Sequence, residues 1–271
     1  MNLNNTREYL TSRQFNPSKK MGQNFLINEN ISKNIVTSIN FKDVDLVLEI
    51  GPGLAALTDY LVDQKFDLTL IELDKRLNEF LVKRFKNKKV KIINQDVLRI
   101  NFHEIINGYK NPIIVSNLPY SISSLVILKF LKTAKINSFY CMLQQEMVDR
   151  ICAPVRTKKY NAFTALISYY CDVKKTLNIS ANNFFPAPDV DSCFISIQKN
   201  DREYDEEFDK FLRLCFLNRR KTIVNNLKTK YSNKIIINLL NKLAINLTTR
   251  SEELSPEELF ELFIELKSKN D

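Results

Sequence analysis

The residues predict an α/β chain with a mainly parallel sheet covered by helices on both faces, followed by a small all-helical domain. Three observations carry this reading. Short β-branched runs alternate with stretches whose apolar residues recur at helical spacing. The runs are largely apolar, as strands buried on both faces are. Past Lys199 the strand signal stops, which places a boundary near 200 and gives domains 1–199 and 200–271.

Taken in order, a polar N-terminal arm leads into a helix over Ile31–Ile39. Strands follow at Leu46–Ile50, Leu68–Leu73, Val90–Ile93, Ile113–Val115 and Phe139–Leu143. Helices at Thr58–Gln64, Leu77–Phe85, Leu125–Thr133, Glu146–Ala153 and Ala162–Tyr170 connect and follow them. Two later strands, near Leu177–Ile179 and Cys193–Ile197, complete the first domain. Phe208–Leu217, Thr222–Leu227, Lys234–Leu243 and Pro256–Lys267 read as the helices of the second. No internal repeat interrupts this order.

A chain of 271 residues, 44% apolar and 26% charged, is long enough for one large and one small core and excludes a fibre or a disulfide-stapled miniprotein. Its apolar runs fall well short of the roughly 18 residues a bilayer span needs, and MNLNNTREYLTSRQF lacks an apolar signal core, so a cytoplasmic protein without membrane association is expected. Cys141, Cys152, Cys171, Cys193 and Cys215 are scattered, which supports neither a zinc knuckle nor a disulfide framework and reads as small buried apolar groups. His103 is the sole histidine, so a multi-His metal site is excluded, a His-paired nucleophile would have to rest on that one residue, and no metal is expected.

The net charge of +9 points to a polyanion partner. Residues 1–199 carry the whole excess, 27 basic against 18 acidic, whereas 200–271 hold 13 of each. Within that neutral tail, Lys210 to Arg250 contains ten Lys and Arg and no acid, between the acidic stretches DREYDEEFD and SEELSPEELFELF. Acids set apart in this way are poorly placed for local pairing, so the basic run is a candidate binding surface.

Two of only four glycines, Gly51 and Gly53, stand directly after the first strand in LEIGPGLAALT. A strand-to-helix turn without side chains lets main-chain N–H groups approach a ligand at a helix N-terminus, the Rossmann-like arrangement. Twenty-one residues beyond Gly51 the second strand ends in Glu72, a carboxylate able to accept both ribose hydroxyls of an adenosine. The third ends in INQD with Asp96, where a carboxylate or its neighbouring backbone can recognise an adenine amine. Gly51-x-Gly53-x-x-Ala56 also fits a relaxed dinucleotide fingerprint, so NAD stands as the alternative at this point.

The fourth strand runs into Asn117-Leu118-Pro119-Tyr120, beside the glycine turn. An aromatic amine is a poor nucleophile because its lone pair is delocalised into the ring. The Asn117 side-chain oxygen and the Leu118 carbonyl can both accept from such an NH2, favouring a pyramidal nitrogen that attacks a sulfonium methyl. Pro119 fixes the backbone that aims the carbonyl, and Tyr120 offers a ring for stacking a flipped-out base. No general base is required, because the proton becomes acidic once the nitrogen is alkylated. The single histidine also counts against hydride transfer.

KKMGQNFLIN, LEIGPG, IEL, INQD, NLPY, FFPAPDVDS and NRRKT occur in this order between residue 19 and about 230. In this the chain resembles the KsgA-type ribosomal RNA adenine dimethyltransferases. The resemblance implies a class I methyltransferase sheet and S-adenosylmethionine as methyl donor. It implies as substrate two adjacent adenosines in the 3′-terminal hairpin of small-subunit rRNA, each receiving two methyls during late subunit biogenesis. By position it places Asn24 and Leu26 on the methionine part, Gly51 in the loop, Glu72 on the ribose, Asp96 on the adenine and Asn117 between cofactor and acceptor. Phe184 is implied to sandwich the target base against Tyr120, with Phe185 as the less favoured choice, and Arg219, Arg220 and Lys221 to contact rRNA. Lys19 and Lys20 are weaker RNA candidates. Ala55 stands where the family usually has a third glycine, which is expected to tighten the methionine pocket; Asp189 replaces a usually basic residue, which weakens phosphate attraction. A monomer acting on immature small subunits is expected. The related methyltransferases that modify a large-subunit adenosine and confer antibiotic resistance, and a largely non-catalytic assembly checkpoint protein, are the alternatives.

Overall fold

A computed structural model describes residues 3–13, 15–18 and 21–268. In chain order the elements are α1 (Leu3–Ser12), β1 (Phe25–Leu26), α2 (Glu29–Thr37), β2 (Leu46–Ile50), α3 (Thr58–Leu61), β3 (Asp67–Glu72), α4 (Lys75–Arg84), β4 (Val90–Asn94) and α5 (Phe102–Ile105). Then come β5 (Pro112–Asn117), α6 (Ser123–Lys132), β6 (Ser138–Gln144), α7 (Gln145–Ile151), α8 (Ala162–Tyr170), β7 (Cys171–Ile179), β8 (Phe184–Phe185) and β9 (Ser192–Lys199). The last four helices are α9 (Glu206–Cys215), α10 (Ile223–Leu227), α11 (Asn233–Lys242) and α12 (Pro256–Lys267).

Seven strands form one sheet in the order β4-β3-β2-β5-β6-β9-β7. The first five are mutually parallel, and β9 pairs antiparallel with β6. Parallel strands require crossover helices, and these cover both faces. On one face Val47, Leu70 and Val115 pack with Ile35 and Val36 of α2, Leu61 of α3 and Leu81 of α4. On the other, Phe139 of β6 meets Phe130 of α6 with ring centroids 5.5 Å apart, as the alternation along a strand dictates. Burying each such side chain stabilises the fold by about 1.5–3 kcal/mol. The order of β2 and β5 about β3 and β6 makes the edge between β2 and β5 the place where successive crossovers diverge, and ligands bind there in open α/β sheets.

The chain forms two compact units that are not contiguous in sequence. One comprises residues up to Gln145 and Lys174–Lys199; the other comprises Glu146–Val173 and Asn200–Asp271. A change of unit at 199/200 was expected, but 146–173, read as part of the first domain, packs with the C-terminal helices instead. The reason is aromatic: Tyr169 of α8 stacks on Phe260 of α12 at 4.6 Å and meets Phe208 of α9 at 5.0 Å, and Phe208 meets Phe263 at 5.4 Å. The polar N-terminal arm, for which no element was predicted, contains α1, which packs Leu10 against Leu77 and Tyr9 against Phe80. Four of the cysteines are buried and Cys152 is half-buried, and none of the five is in a disulfide.

Candidate active site

The turn after β2 is left-handed at three positions: Gly51 (φ 66°), Gly53 (φ 57°) and Ala55 (φ 68°). Glycine takes this conformation without penalty, whereas an L-residue pays about 1–2 kcal/mol. Gly51 lies against its neighbour: a Cβ there would be in ordinary contact with the Asn117 main-chain oxygen at 3.6 Å and Pro119 Cδ at 3.9 Å. The glycine turn and the acceptor motif are thus in contact. A Cβ on Gly53 would sit 3.3 Å from the Phe25 ring of β1. Ala55 is fully buried and belongs to the hydrophobic core, not to the cavity wall, so its methyl does not narrow the ligand pocket as expected.

Glu72, at the end of β3, is 6% exposed. Its Oε2 accepts the Gly53 N–H at 3.1 Å and its Oε1 the Asp74 N–H at 2.9 Å. A carboxylate can accept about four hydrogen bonds, so accepting capacity remains for a ligand. Burial pushes its pKa up to about 6, against the opposing pull of those N–H groups. Asp74 caps α4 through Arg76 N–H at 2.9 Å and accepts from Gln23 Nε2 at 2.9 Å, which ties the N-terminal arm to the end of β3. Asp96, after β4, folds its side chain onto the Leu98 N–H at 2.9 Å. The turn that follows is braced by Lys129 of α6, whose Nζ donates to Leu98 O at 3.0 Å and to Ile100 O, and lies 4.9 Å from the Phe102 ring centre.

Asn117 ends β5 and is half-buried. Its Nδ2 donates to the Asn24 carbonyl at 3.4 Å. Because the amide nitrogen is directed there, Oδ1 is the group left to accept from a ligand. Leu118 is 1% exposed and its N–H bonds Met142 O at 3.3 Å, so its side chain anchors the motif in the core. Pro119 lines the cavity. The Tyr120 side chain lies outside the described residues, as do Lys19 and Lys20. Phe184 departs from expectation: paired with Leu26 across β1 and β8, it is 2% exposed and packed in the core, and its ring is not part of the cavity wall. An apolar ring beside the sheet gains more from burial than from facing an open site. Phe185, its neighbour, is half-buried with Arg7 over the ring at 5.3 Å.

Asn24, Leu26, Gly51, Gly53, Glu72, Asp96, Pro119 and Asn117 all line one cavity of about 450 Å³, within the range of small-ligand sites. The walls also include Leu73, Val97 and Ile122, which would flank a planar ring. Among the cavity residues that sequence reasoning missed is Glu49 of β2, 2% exposed, whose Oε2 has no hydrogen-bond partner among the described residues. Burial raises its pKa to about 8. The signal was present, since an acid inside the otherwise apolar run Leu46–Ile50 conflicts with a strand buried on both faces.

The basic run of the tail is less free than its sequence implied. Acids from its flanks and from neighbouring helices reach back to it: Glu207 to Lys210 at 2.7 Å, Asp209 to Arg213 at 2.9 Å, Glu252 to Arg219 at 2.7 Å and Glu265 to Lys242 at 2.7 Å. Arg219 is therefore committed internally, whereas Arg220 and Lys221 are exposed and have no carboxylate partner among the described residues.

Known proteins place the chain. The family model described as ribosomal RNA adenine dimethylase matches residues 14–268. The protein named ribosomal RNA small subunit methyltransferase A in Malacoplasma penetrans is 48% identical over 255 residues, 92% of each chain. Its namesake in Ureaplasma urealyticum is 40% identical, covering 100% of this chain and 99% of the relative. Among solved structures, a dimethyladenosine transferase from Plasmodium falciparum superposes with a TM-score of 0.79 at 24% identity, over 91% of this chain and 98% of that one. The 23S rRNA methyltransferase ErmE gives 0.67 at 22%, over 90% and 100%; both likenesses speak for the fold. With a glycine turn against an asparagine acceptor corner, and a family match spanning nearly its whole length, the chain belongs to the ribosomal RNA adenine dimethylase family.

Proposed function

We propose that the protein dimethylates the exocyclic amines of two adjacent adenosines in the 3′-terminal hairpin of small-subunit rRNA, using S-adenosylmethionine and acting as a monomer on immature small subunits. The observation that carries this reading is the Asn117 amide, held by the Asn24 carbonyl at 3.4 Å so that Oδ1 is left as an acceptor at the cavity edge. The residues present fit the donor. The remaining accepting capacity of the Glu72 carboxylate suits ribose hydroxyls, and Leu73 and Val97 can flank an adenine while Asp96 stands at its edge. The orphaned, buried Glu49 oxygen is the kind of group a ligand ammonium satisfies.

When bound, S-adenosylmethionine supplies a methyl made electrophilic by its sulfonium sulfur. The chain's own work is done on the acceptor. Asn117 Oδ1 and the Leu118 carbonyl accept the amine hydrogens and localise the nitrogen lone pair, and Pro119 holds that carbonyl in place. Tyr120, next in the motif, is assigned the stacking face for the extruded base. The amine proton passes to water once the new C–N bond has formed, so no side-chain base is needed.

The test is mass spectrometry of rRNA after incubation with labelled donor, comparing immature small subunits with naked large-subunit rRNA. Dimethyladenosine in the small-subunit RNA alone is expected; product only in the large-subunit RNA overturns the assignment. Asn117→Ala is expected to lower kcat by about 10²–10³ while subunit binding persists. A variant that methylates at the normal rate refutes the role given to Asn117.

A further inference from the structure

The loop 154–159, between α7 and α8, carries Arg156, Lys158 and Lys159 and has so far been given no role. It is fastened to two distant segments of the same compact unit. The Arg156 N–H donates to Glu252 O at 2.8 Å, and Arg219 Nη2 donates to Thr157 O at 3.1 Å. Arg219 Nε also donates to Glu252 Oε2 at 2.7 Å. One guanidinium therefore brackets three pieces of chain: the loop, the turn 218–221 and the turn at Glu252.

The charges on this scaffold are unevenly committed. Among the acids nearby, Glu252 is taken by Arg219, Asp149 pairs with Lys159 at 2.8 Å, and Glu253 accepts the Arg250 main-chain N–H at 2.9 Å. Arg156 and Lys158 on the loop, like Arg220 and Lys221 on the adjoining turn, are exposed and have no carboxylate partner among the described residues. Arg156 moreover holds a left-handed backbone, φ 68°, where glycine would relieve about 1–2 kcal/mol. A charged side chain stands at a place that favours none. Cations spread over adjoining segments suit a repeating anion better than one small anion, which needs donors converging on a point.

We infer that the loop 154–159 and the turn 218–221 form one composite surface for the phosphodiester backbone of small-subunit rRNA, with Arg156 and Lys158 as phosphate contacts and Arg219 as the residue that positions the two halves. This rests on the rRNA reading above.

The test is the affinity of the full-length chain for small-subunit rRNA across a salt series, with circular dichroism confirming that each variant is folded. The double variant Arg156→Ala/Lys158→Ala is expected to bind roughly 10- to 30-fold more weakly near 0.15 M salt, with the log–log salt slope reduced by about 1.4–1.8. Lys33→Ala/Lys42→Ala removes the same charge from exposed sites in the other unit and is expected to leave the slope nearly unchanged. Arg219→Ala is expected to weaken binding with little change in slope; a fall of about 0.7–0.9 would make Arg219 a direct contact and overturn its positioning role. A wild-type slope in the Arg156/Lys158 variant, or an equal loss in the Lys33/Lys42 variant, overturns the surface. Wild-type protein that binds the RNA without methylating it would instead overturn the enzymatic reading and leave this surface standing.

Discussion

At the scale of single residues, two buried carboxyls dominate the cavity. Glu72 and Glu49 have pKa values raised by burial to about 6 and about 8. A carboxyl whose pKa is higher in the folded than in the unfolded state binds its proton more tightly when folded. Its contribution to stability is therefore present at low pH and is lost as pH rises from the unfolded value near 4.5 through the folded one. The ligand-free protein is expected to melt at progressively lower temperature between pH 5 and pH 8.5. Glu49→Gln, which removes the ionisation at nearly constant shape, is expected to flatten the upper half of that dependence in thermal denaturation. Parallel curves for the two proteins would show that Glu49 does not carry the effect. Glu72, Asp96 and Asn117 were legible from sequence because each closes or directly follows a strand at the carboxyl edge of a parallel sheet, where fold geometry alone brings side chains together. Phe184 was not, because a motif position says nothing about which way a ring turns.

At the scale of elements, the site depends on how tightly its turns are fastened. Gly53→Ala combines a left-handed backbone with a methyl 3.3 Å from the Phe25 ring, and a cost of about 2 kcal/mol is expected, read as a fall in Tm of roughly 4–8 °C. An unchanged Tm would mean that β1 moves away freely. The Lys129 brace joins the turn that presents Asp96 to the helix that follows the acceptor motif. Lys129→Met is expected to raise the KM for donor about 10-fold with kcat within a factor of three, and Lys129→Arg to restore most of it. Equal losses in kcat and kcat/KM would place Lys129 in the chemistry instead. The five parallel strands were readable in place, with bounds out by up to two residues at an end, since each is a largely apolar run between turn residues. The two-residue strands β1 and β8 have no period to detect, and α5, four residues long, scarcely more. For α1, the apolar positions Leu10 and Tyr9 were too few to outweigh the polar arm around them.

At the scale of the whole molecule, chain order and spatial order disagree. The chain passes between the two units three times, at 145/146, 173/174 and 199/200. Sequence reasoning detected the last passage because composition changes there; the first two leave no mark, since α8 is as apolar as any helix of the sheet domain. A fragment ending at 199 would strip Tyr169 and Tyr170 of Phe208 and Phe260 and leave α8 with an uncovered aromatic face. Such a fragment is expected to aggregate or melt without a cooperative transition, as followed by light scattering and calorimetry. A soluble fragment with a sharp transition would show that the N-terminal unit needs none of those contacts. The antiparallel partnership of Ser138–Gln144 with Ser192–Lys199 has a temporal meaning as well. During translation the earlier strand emerges about fifty residues before the one that covers it, so the growing polypeptide displays an open row of amide and carbonyl groups for that interval. Crowded polysomes, where several half-made copies lie side by side, are where strand exchange between copies would begin.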